Sequence, residues 1–168
     1  MPRHTGTVFV DTNVILECHR VGSWRALTGG YRVETVELCV RETQVGAQRR
    51  RREQRISKEQ LTERLAAVQS VEDRELAELA VRTLGIHLDD GERDLWAHAF
   101  GRDDDWVLCG PDGASLRCGV RLGFRDRLRS LEGLLTDMGH RPSSPLREHY
   151  TELWHRQKLN EIVILEMD

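Results

Sequence analysis

The chain lacks the features of membrane-spanning, disulfide-rich and zinc–thiolate proteins. No apolar run approaches the roughly 20 residues that a membrane helix needs. The first residues show no signal-peptide pattern of a charged segment, a long apolar segment and a cleavage site. The four cysteines lie far apart and form neither a C-x-x-C pair nor a zinc spacing with paired histidines. We therefore expect a cytoplasmic protein whose cysteines are reduced core residues.

What is present is typical of a single globular unit. The chain has 168 residues, of which 39% are hydrophobic and 32% charged, so it can bury a sizeable core. The net charge of −3 is mild. One basic block stands out and is formed by Arg49, Arg50, Arg51, Arg52 and Arg55. The block is either a solvated helix face or a patch that contacts phosphates or a partner.

Strand-like and helix-like segments alternate along most of the chain. Short runs rich in β-branched or apolar residues predict strands at 7–10, 31–35 and 106–109. Each run is followed by helical spacing, and the helix after the second run includes Val36 and Glu42. Asp89 and Asp90 are typical caps for a helix over 91–100, and another helix is predicted over 114–122. This alternation favours a parallel sheet with helices on both faces.

The remaining segments are predicted to be mainly helical. A capping box at Ser57 opens an apolar face that includes Val68, and a second stripe ends at Gly85, which predicts a helical hairpin. Apolar spacing from Leu128 predicts a helix that stops at Gly139. Residues 141–145 are the best candidate linker. Ser144 and Pro145 suit the cap and first turn of a further helix that reaches about Lys158, followed by a β-like run at 162–165. We expect a domain over 1–139 and an extension over 140–168 that packs on it.

Acidic residues are predicted to meet at the sheet edge where ligands collect. Asp11 ends the run TVFV, and Asp112 follows the strand at 106–109. Glu42 falls in the first turn or two of one helix and Glu92 at the start of another, so each could face the same edge. Four carboxylates without cations would repel one another and raise their pKa values. Since oxygen ligands suit Mg²⁺ or Mn²⁺, the sequence predicts a metal site, and two such ions can hydrolyse phosphodiesters.

Four motifs resemble those of the PIN-domain nucleases. They are VDTN at Asp11, VRET at Glu42, DDGERDLWAHA at Glu92, and WVLCGPDGASLR at Asp112 followed by LGF, and they cover about residues 7 to 135. That family includes the VapC-type toxins of bacterial toxin–antitoxin pairs, which bind magnesium or manganese and hydrolyse RNA. The resemblance implies a PIN-like three-layer α/β/α fold with a parallel sheet of four or five strands. It also implies an endoribonuclease with an RNA substrate, and it makes an antitoxin protein and a second copy of the chain candidate partners.

The resemblance assigns roles to individual residues. The metal-binding and catalytic acids would be Asp11, Glu42, Glu92 and Asp112. Thr12 or Asn13 would support the first motif by hydrogen bonding. In the third motif many family members have aspartate, whereas this chain has Glu92, with Asp94 as the alternative acid. The arginines at 49–52 and 55 would steer the RNA or receive an acidic antitoxin segment.

Other interpretations stay open. Gly110 stands where the family often has Thr or Ser, so a supporting hydroxyl is missing and a non-catalytic PIN-like module that binds RNA or protein remains an alternative. Asp11 could instead accept a phosphoryl group, as in haloacid-dehalogenase-type phosphatases, but those enzymes need an aspartate where this chain has Asn13. Simpler roles also exist: helix capping for Asp11, a turn for Asp112 and a favourable helix dipole for Glu92.

Overall fold

The computed structural model describes residues 2–45 and 56–168, which form five strands and nine α-helices. The strands are β1 (Thr7–Val10), β2 (Arg32–Val36), β3 (Ala67–Gln69), β4 (Trp106–Cys109) and β5 (Leu128–Arg129). The helices are α1 (Thr12–Arg20), α2 (Trp24–Gly30), α3 (Glu37–Gln44), α4 (Lys58–Arg64), α5 (Asp73–Arg82), α6 (Asp90–Ala99), α7 (Gly113–Arg121), α8 (Leu131–Asp137) and α9 (Glu152–Met167).

The strands form one parallel sheet in the order β3-β2-β1-β4-β5. Strand β1 is central, and its last residue, Val10, lies opposite Cys109 of β4. The chain leaves β1 toward β2 on one side, and β4 lies on the other side. The carboxyl ends of β1 and β4 therefore border the crevice where open α/β sheets bind ligands.

Alternating side chains of the sheet face two helical layers. Val8 and Val10 of β1 pack into a core with α1, α2, α4 and α8. Phe9 points to the opposite face, into a core with α5, α6, α7 and α9. This alternation follows from the two-residue period of a strand. The predicted three-layer α/β/α fold with a parallel sheet and helices on both faces is confirmed.

Several predicted boundaries are confirmed. Strands β1 and β4 occupy the predicted residues, and α6 begins after Asp89, whose carboxylate completes a capping box. Helix α7 ends before Gly123, which has a φ of +83°. Glycine adopts this left-handed conformation without the steric cost that a Cβ would add, which explains the helix stop.

The predicted helical hairpin is wrong. Helix α4 ends at Arg64, and Val68 lies in β3, which pairs with Thr35 of β2 along the sheet. Val36 belongs to β2 rather than to the following helix, and Leu128 belongs to β5. Apolar spacing missed these residues because their backbone groups bond to neighbouring strands that are distant in the sequence.

The C-terminal predictions are also wrong in part. Helix α9 begins after Thr151, whose hydroxyl accepts a hydrogen bond from the Trp154 amide, and not at Ser144. It runs without interruption through the predicted β-like residues 162–165. Ile162 is buried in the core that α9 shares with α7. Burial of Ile162 on the helix therefore outweighs the β preference of this branched residue.

Within the described ranges, no helix combines the length and the apolar character needed to cross a membrane.

Candidate functional site

Asp11 connects β1 to α1 and is almost fully buried, with 2% of its surface exposed. Its Oδ1 atom caps α1 by accepting a hydrogen bond of 2.8 Å from the Val14 amide. Its Oδ2 atom is buried and has no hydrogen-bond partner in the described part of the chain. A Cβ at Gly110 would lie 3.2 Å from Oδ2, so the glycine lets the backbone after β4 approach this oxygen closely.

Asp112 caps the helix after β4 in a similar way, although it is only partly buried. Its Oδ1 atom caps α7 by accepting hydrogen bonds from the amides of Ala114, at 2.8 Å, and Ser115, at 3.2 Å. Both capping bonds go to Oδ1, so Oδ2 takes no part in the cap. The simpler capping role therefore applies to both aspartates, but it uses only one oxygen of each carboxylate.

Glu42 reaches the crevice from α3. The Thr12 hydroxyl donates a hydrogen bond of 2.6 Å to its Oε2 atom. A Cβ at Gly91 would lie 2.7 and 2.8 Å from the two carboxylate oxygens of Glu42, closer than real Cβ atoms come to any atom. Glycine at this position therefore allows the first turn of α6 to pack directly against Glu42.

Glu92 enters from the first turn of α6 and is buried, with 6% of its surface exposed. Its Oε2 atom accepts a long hydrogen bond of 3.4 Å from the Asp89 amide, while Oε1 is buried without a partner among the described residues. Asp94, the alternative acid of the third motif, is paired with Arg93 at 3.2 Å. The buried, unpaired oxygen favours Glu92 over Asp94 as the third acid.

The four acids interact electrostatically. Burial, reinforced by the charges of Asp112 and Glu42, raises the pKa of Asp11 to about 7, although hydrogen bonding from Val14 acts in the opposite direction. Burial and the charges of Asp112, Asp11 and Asp89 raise the pKa of Glu92 to about 8. Each shift reflects the cost of holding negative charge in a crowded, desolvated place. A cation bound there would remove that cost.

The oxygen atoms suit a divalent cation in their chemistry, although they do not form a ready-made metal group in the described part of the chain. No three His, Cys, Asp or Glu side chains in residues 2–45 and 56–168 already form a group that could hold a metal ion. However, Asp11 Oδ2 and Glu92 Oε1 are buried acceptors without donors, which is rare unless a ligand or ion satisfies them. Carboxylate oxygens are the ligands of Mg²⁺ and Mn²⁺. The residues present therefore fit the predicted ions.

The other predicted site residues have different positions. Thr12 contacts Glu42, as described above. Asn13 is exposed, and its backbone carbonyl accepts a hydrogen bond from the Tyr150 hydroxyl at 3.3 Å. The arginines at 49–52 and 55 lie outside the described residues.

Sequence reasoning missed two residues near the acids. The lack of a side chain at Gly91 lets α6 pack against Glu42. The sequence feature that could have indicated this role is the position of Gly91 beside Glu92 in the third motif. Tyr150 lies near Asp11, and burial together with the negative charge of Asp11 raises the pKa of its hydroxyl. No local pattern predicted this proximity, because Tyr150 follows Asp11 by more than a hundred residues.

Comparisons with known proteins leave the family open. No protein-family model, curated protein or solved structure matches this chain. The fold and the site define a class only: a three-layer α/β/α protein with acidic residues at the carboxyl edge of a parallel sheet. The resemblance to PIN-domain nucleases rests on the four motifs.

Proposed function

We propose that the protein is an endoribonuclease that depends on Mg²⁺ or Mn²⁺ and hydrolyses RNA phosphodiester bonds. The observation that carries the proposal is the pair of buried, unpartnered oxygens, Asp11 Oδ2 and Glu92 Oε1, which belong to acids that interact with each other. A cluster of this kind destabilises a fold unless it serves a ligand. The four motifs add the family resemblance.

In the proposed mechanism, one carboxylate oxygen of each acid accepts a hydrogen bond from the protein and the other is available to a cation. The cap bonds of α1 and α7 orient Asp11 and Asp112, Thr12 donates a hydrogen bond to Glu42, and the Asp89 amide donates a long one to Glu92. Carboxylates oriented in this way would hold cations and orient a water beside the RNA phosphate once they converge on the ions. Bound Mg²⁺ or Mn²⁺ supplies an activated water and charge stabilisation for hydrolysis that leaves a 5′-phosphate and a 3′-hydroxyl.

A cleavage assay with matched variants tests the proposal. Purified protein is incubated with structured RNA in Mn²⁺, in Mg²⁺ and in EDTA. We expect cleavage only with a metal, a loss of at least 100-fold in Asp11→Asn and Glu92→Gln, and near-normal cleavage in Asp94→Asn. Cleavage in EDTA, or cleavage that survives Asp11→Asn, would rule out the proposed mechanism.

The resemblance to VapC-type toxins extends the proposal to a cellular role as the toxin of a toxin–antitoxin pair. Induced expression in a bacterial host should then arrest growth and shorten cellular RNA. The Asp11→Asn variant, expressed to the same level, should do neither. Growth arrest by both forms would separate toxicity from the acid cluster and remove this part of the proposal.

A non-catalytic module that binds RNA or protein is the second candidate. It is favoured by Gly110, which provides no hydroxyl beside Asp11 and Asp112, and by the lack, within the described part of the chain, of three acids grouped so that they could hold a metal ion. Calorimetry separates the candidates, because a nuclease should take up Mn²⁺ and lose this uptake in Asp11→Asn. RNA binding without measurable uptake would support the module.

A further inference from the structure

The C-terminal helix brings a lysine to the acidic site. Helix α9 packs along α7, whose first residue, Gly113, directly follows Asp112. A Cβ at Gly113 would lie 3.2 Å from Lys158 Cε, so the lysine side chain passes over the start of α7. The ammonium group is one bond beyond Cε. Lys158 therefore brings its positively charged side chain close to the residue that follows Asp112.

The ammonium group of Lys158 is weakly held. Among the described residues its partner is Glu161 Oε2 at 3.4 Å, a long contact to a side chain that is 64% exposed. Exposed pairs of this kind contribute little. Arg117 and Arg121 of α7, by contrast, both bind the Glu166 carboxylate, which fixes their guanidinium groups. Lys158 can thus turn toward a ligand at small cost.

A phosphate is the ligand that this position favours. The backbone of an RNA strand is negatively charged and would be repelled by the acids wherever bound cations do not neutralise them. A lysine beside Asp112 offsets that repulsion, and its flexible stem and three donors suit a phosphate whose position varies. The unpartnered oxygens Asp11 Oδ2 and Glu92 Oε1 indicate independently that a ligand binds at this edge.

We propose that Lys158 binds a backbone phosphate of the RNA on the Asp112 side of the site, next to the bond that is cut. This inference rests on the proposed nuclease function and gives the C-terminal helix a role in substrate binding. Lys158 is one of only two lysines in the chain, whereas other basic positions are arginine. The contact concerns binding and does not involve a covalent step.

The test measures RNA affinity and its dependence on salt. Fluorescence anisotropy with a single-stranded RNA is performed in EDTA, where we expect no cleavage, on the otherwise wild-type protein with and without Lys158→Met. We expect the dissociation constant to rise about 3- to 10-fold at low salt. The slope of log affinity against log salt should fall in magnitude by about 0.7, the value for one phosphate contact on a single strand. Lys158→Arg should restore both quantities.

Arg156→Met is the matched control, because it removes the same charge from the same helix at a side chain that is 75% exposed. If it changes affinity and slope as much as Lys158→Met does, or if Lys158→Met changes neither, the inference is overturned. Cleavage by the otherwise wild-type protein is measured separately. If cleavage depends on metal but Lys158→Met does not change RNA affinity, only the lysine contact is overturned. If there is no cleavage but Lys158→Met weakens RNA binding as expected, only the nuclease function is overturned. If the protein does not bind RNA, both are overturned.

Discussion

Replacing Asp11 by asparagine should make the metal-free protein more stable at neutral pH. Burial, together with the charges of Asp112 and Glu42, raises the pKa of Asp11 from 3.8 to about 7. In the unfolded chain the pKa is about 3.9, so this group favours folding below pH 4 and loses that contribution as the pH rises through 7. At about 1.4 kcal/mol per pKa unit, three units correspond to an upper limit of about 4 kcal/mol at pH 8.

Asparagine carries no charge, and its side-chain oxygen can still accept the hydrogen bond from Val14 that caps α1. We expect Asp11→Asn to raise the free energy of unfolding at pH 8 by about 2–4 kcal/mol. This corresponds to roughly 4–16 °C in melting temperature, at about 2–4 °C per kcal/mol for a chain of this size. At pH 5, where folded Asp11 is protonated, only about 1–2 kcal/mol should remain.

Urea unfolding followed by circular dichroism at pH 5, 6, 7 and 8, in EDTA, measures the effect of Asp11→Asn. Asp94→Asn is the control, since it removes an acid that is already paired with Arg93. A variant that is less stable than wild type at pH 8, or one whose gain is equal at pH 5 and pH 8, would refute the reasoning. Added Mn²⁺ should stabilise the wild type, because a ligand that binds only the folded state opposes unfolding. It should not stabilise Asp11→Asn, which lacks one of the proposed metal-binding carboxylates.

Three further substitutions test contacts in and behind the site. Gly91→Ala would bring a Cβ to 2.7 and 2.8 Å from the Glu42 oxygens; displacement of this acid should lower kcat/KM about 10- to 100-fold. Thr12→Val removes the donor to Glu42 and should weaken Mn²⁺ binding about tenfold in calorimetry, whereas Thr12→Ser should not. Glu34→Gln breaks a buried pair with Arg102 and should cost about 3 kcal/mol in urea unfolding at pH 7. Burial opposes ionisation of Glu34, but hydrogen bonds led by Arg102 hold its pKa below the usual value, so this cost should disappear as the pH falls below about 4.

These predictions have their own controls. Gly29→Ala adds a Cβ with no atom within 4 Å and should leave cleavage unchanged. Normal cleavage by Gly91→Ala would show that the position of Glu42 is not needed. A Glu34→Gln variant that loses as much stability at pH 3 as at pH 7 would mean that packing, rather than the charge of Glu34, accounts for the cost.

Elements with local signals were predicted from the sequence, and elements defined by distant partners were not. Strand β1 and helix α6 have their own markers: a β-branched run in the first case and the capping box at Asp89 in the second. Strands β3 and β5 are only three and two residues long, and they exist because β2 and β4 offer free backbone groups. A short stretch of sequence contains no information about that pairing.

The candidate site divides in the same way. The order of the four acids along the chain, together with the rule that ligands collect at the carboxyl ends of parallel strands, placed them at one edge. The roles of Gly91 and Lys158 could not be predicted, because they arise from the approach of α6 to Glu42 and of α9 to α7. Both depend on how helices pack, which a single sequence does not state.

The capping role and the proposed metal-binding role of the aspartates are compatible. A helix cap needs one carboxylate oxygen, and Asp11 and Asp112 each use only Oδ1 for it. The cap bonds fix the rotation of the carboxylate, so the second oxygen is held in place before any ligand arrives. An asparagine cap would stabilise α1 and α7 without the repulsion that raises the pKa of Asp11. A charged residue at two positions where a neutral one would suffice for folding is therefore the feature that supports the proposed function.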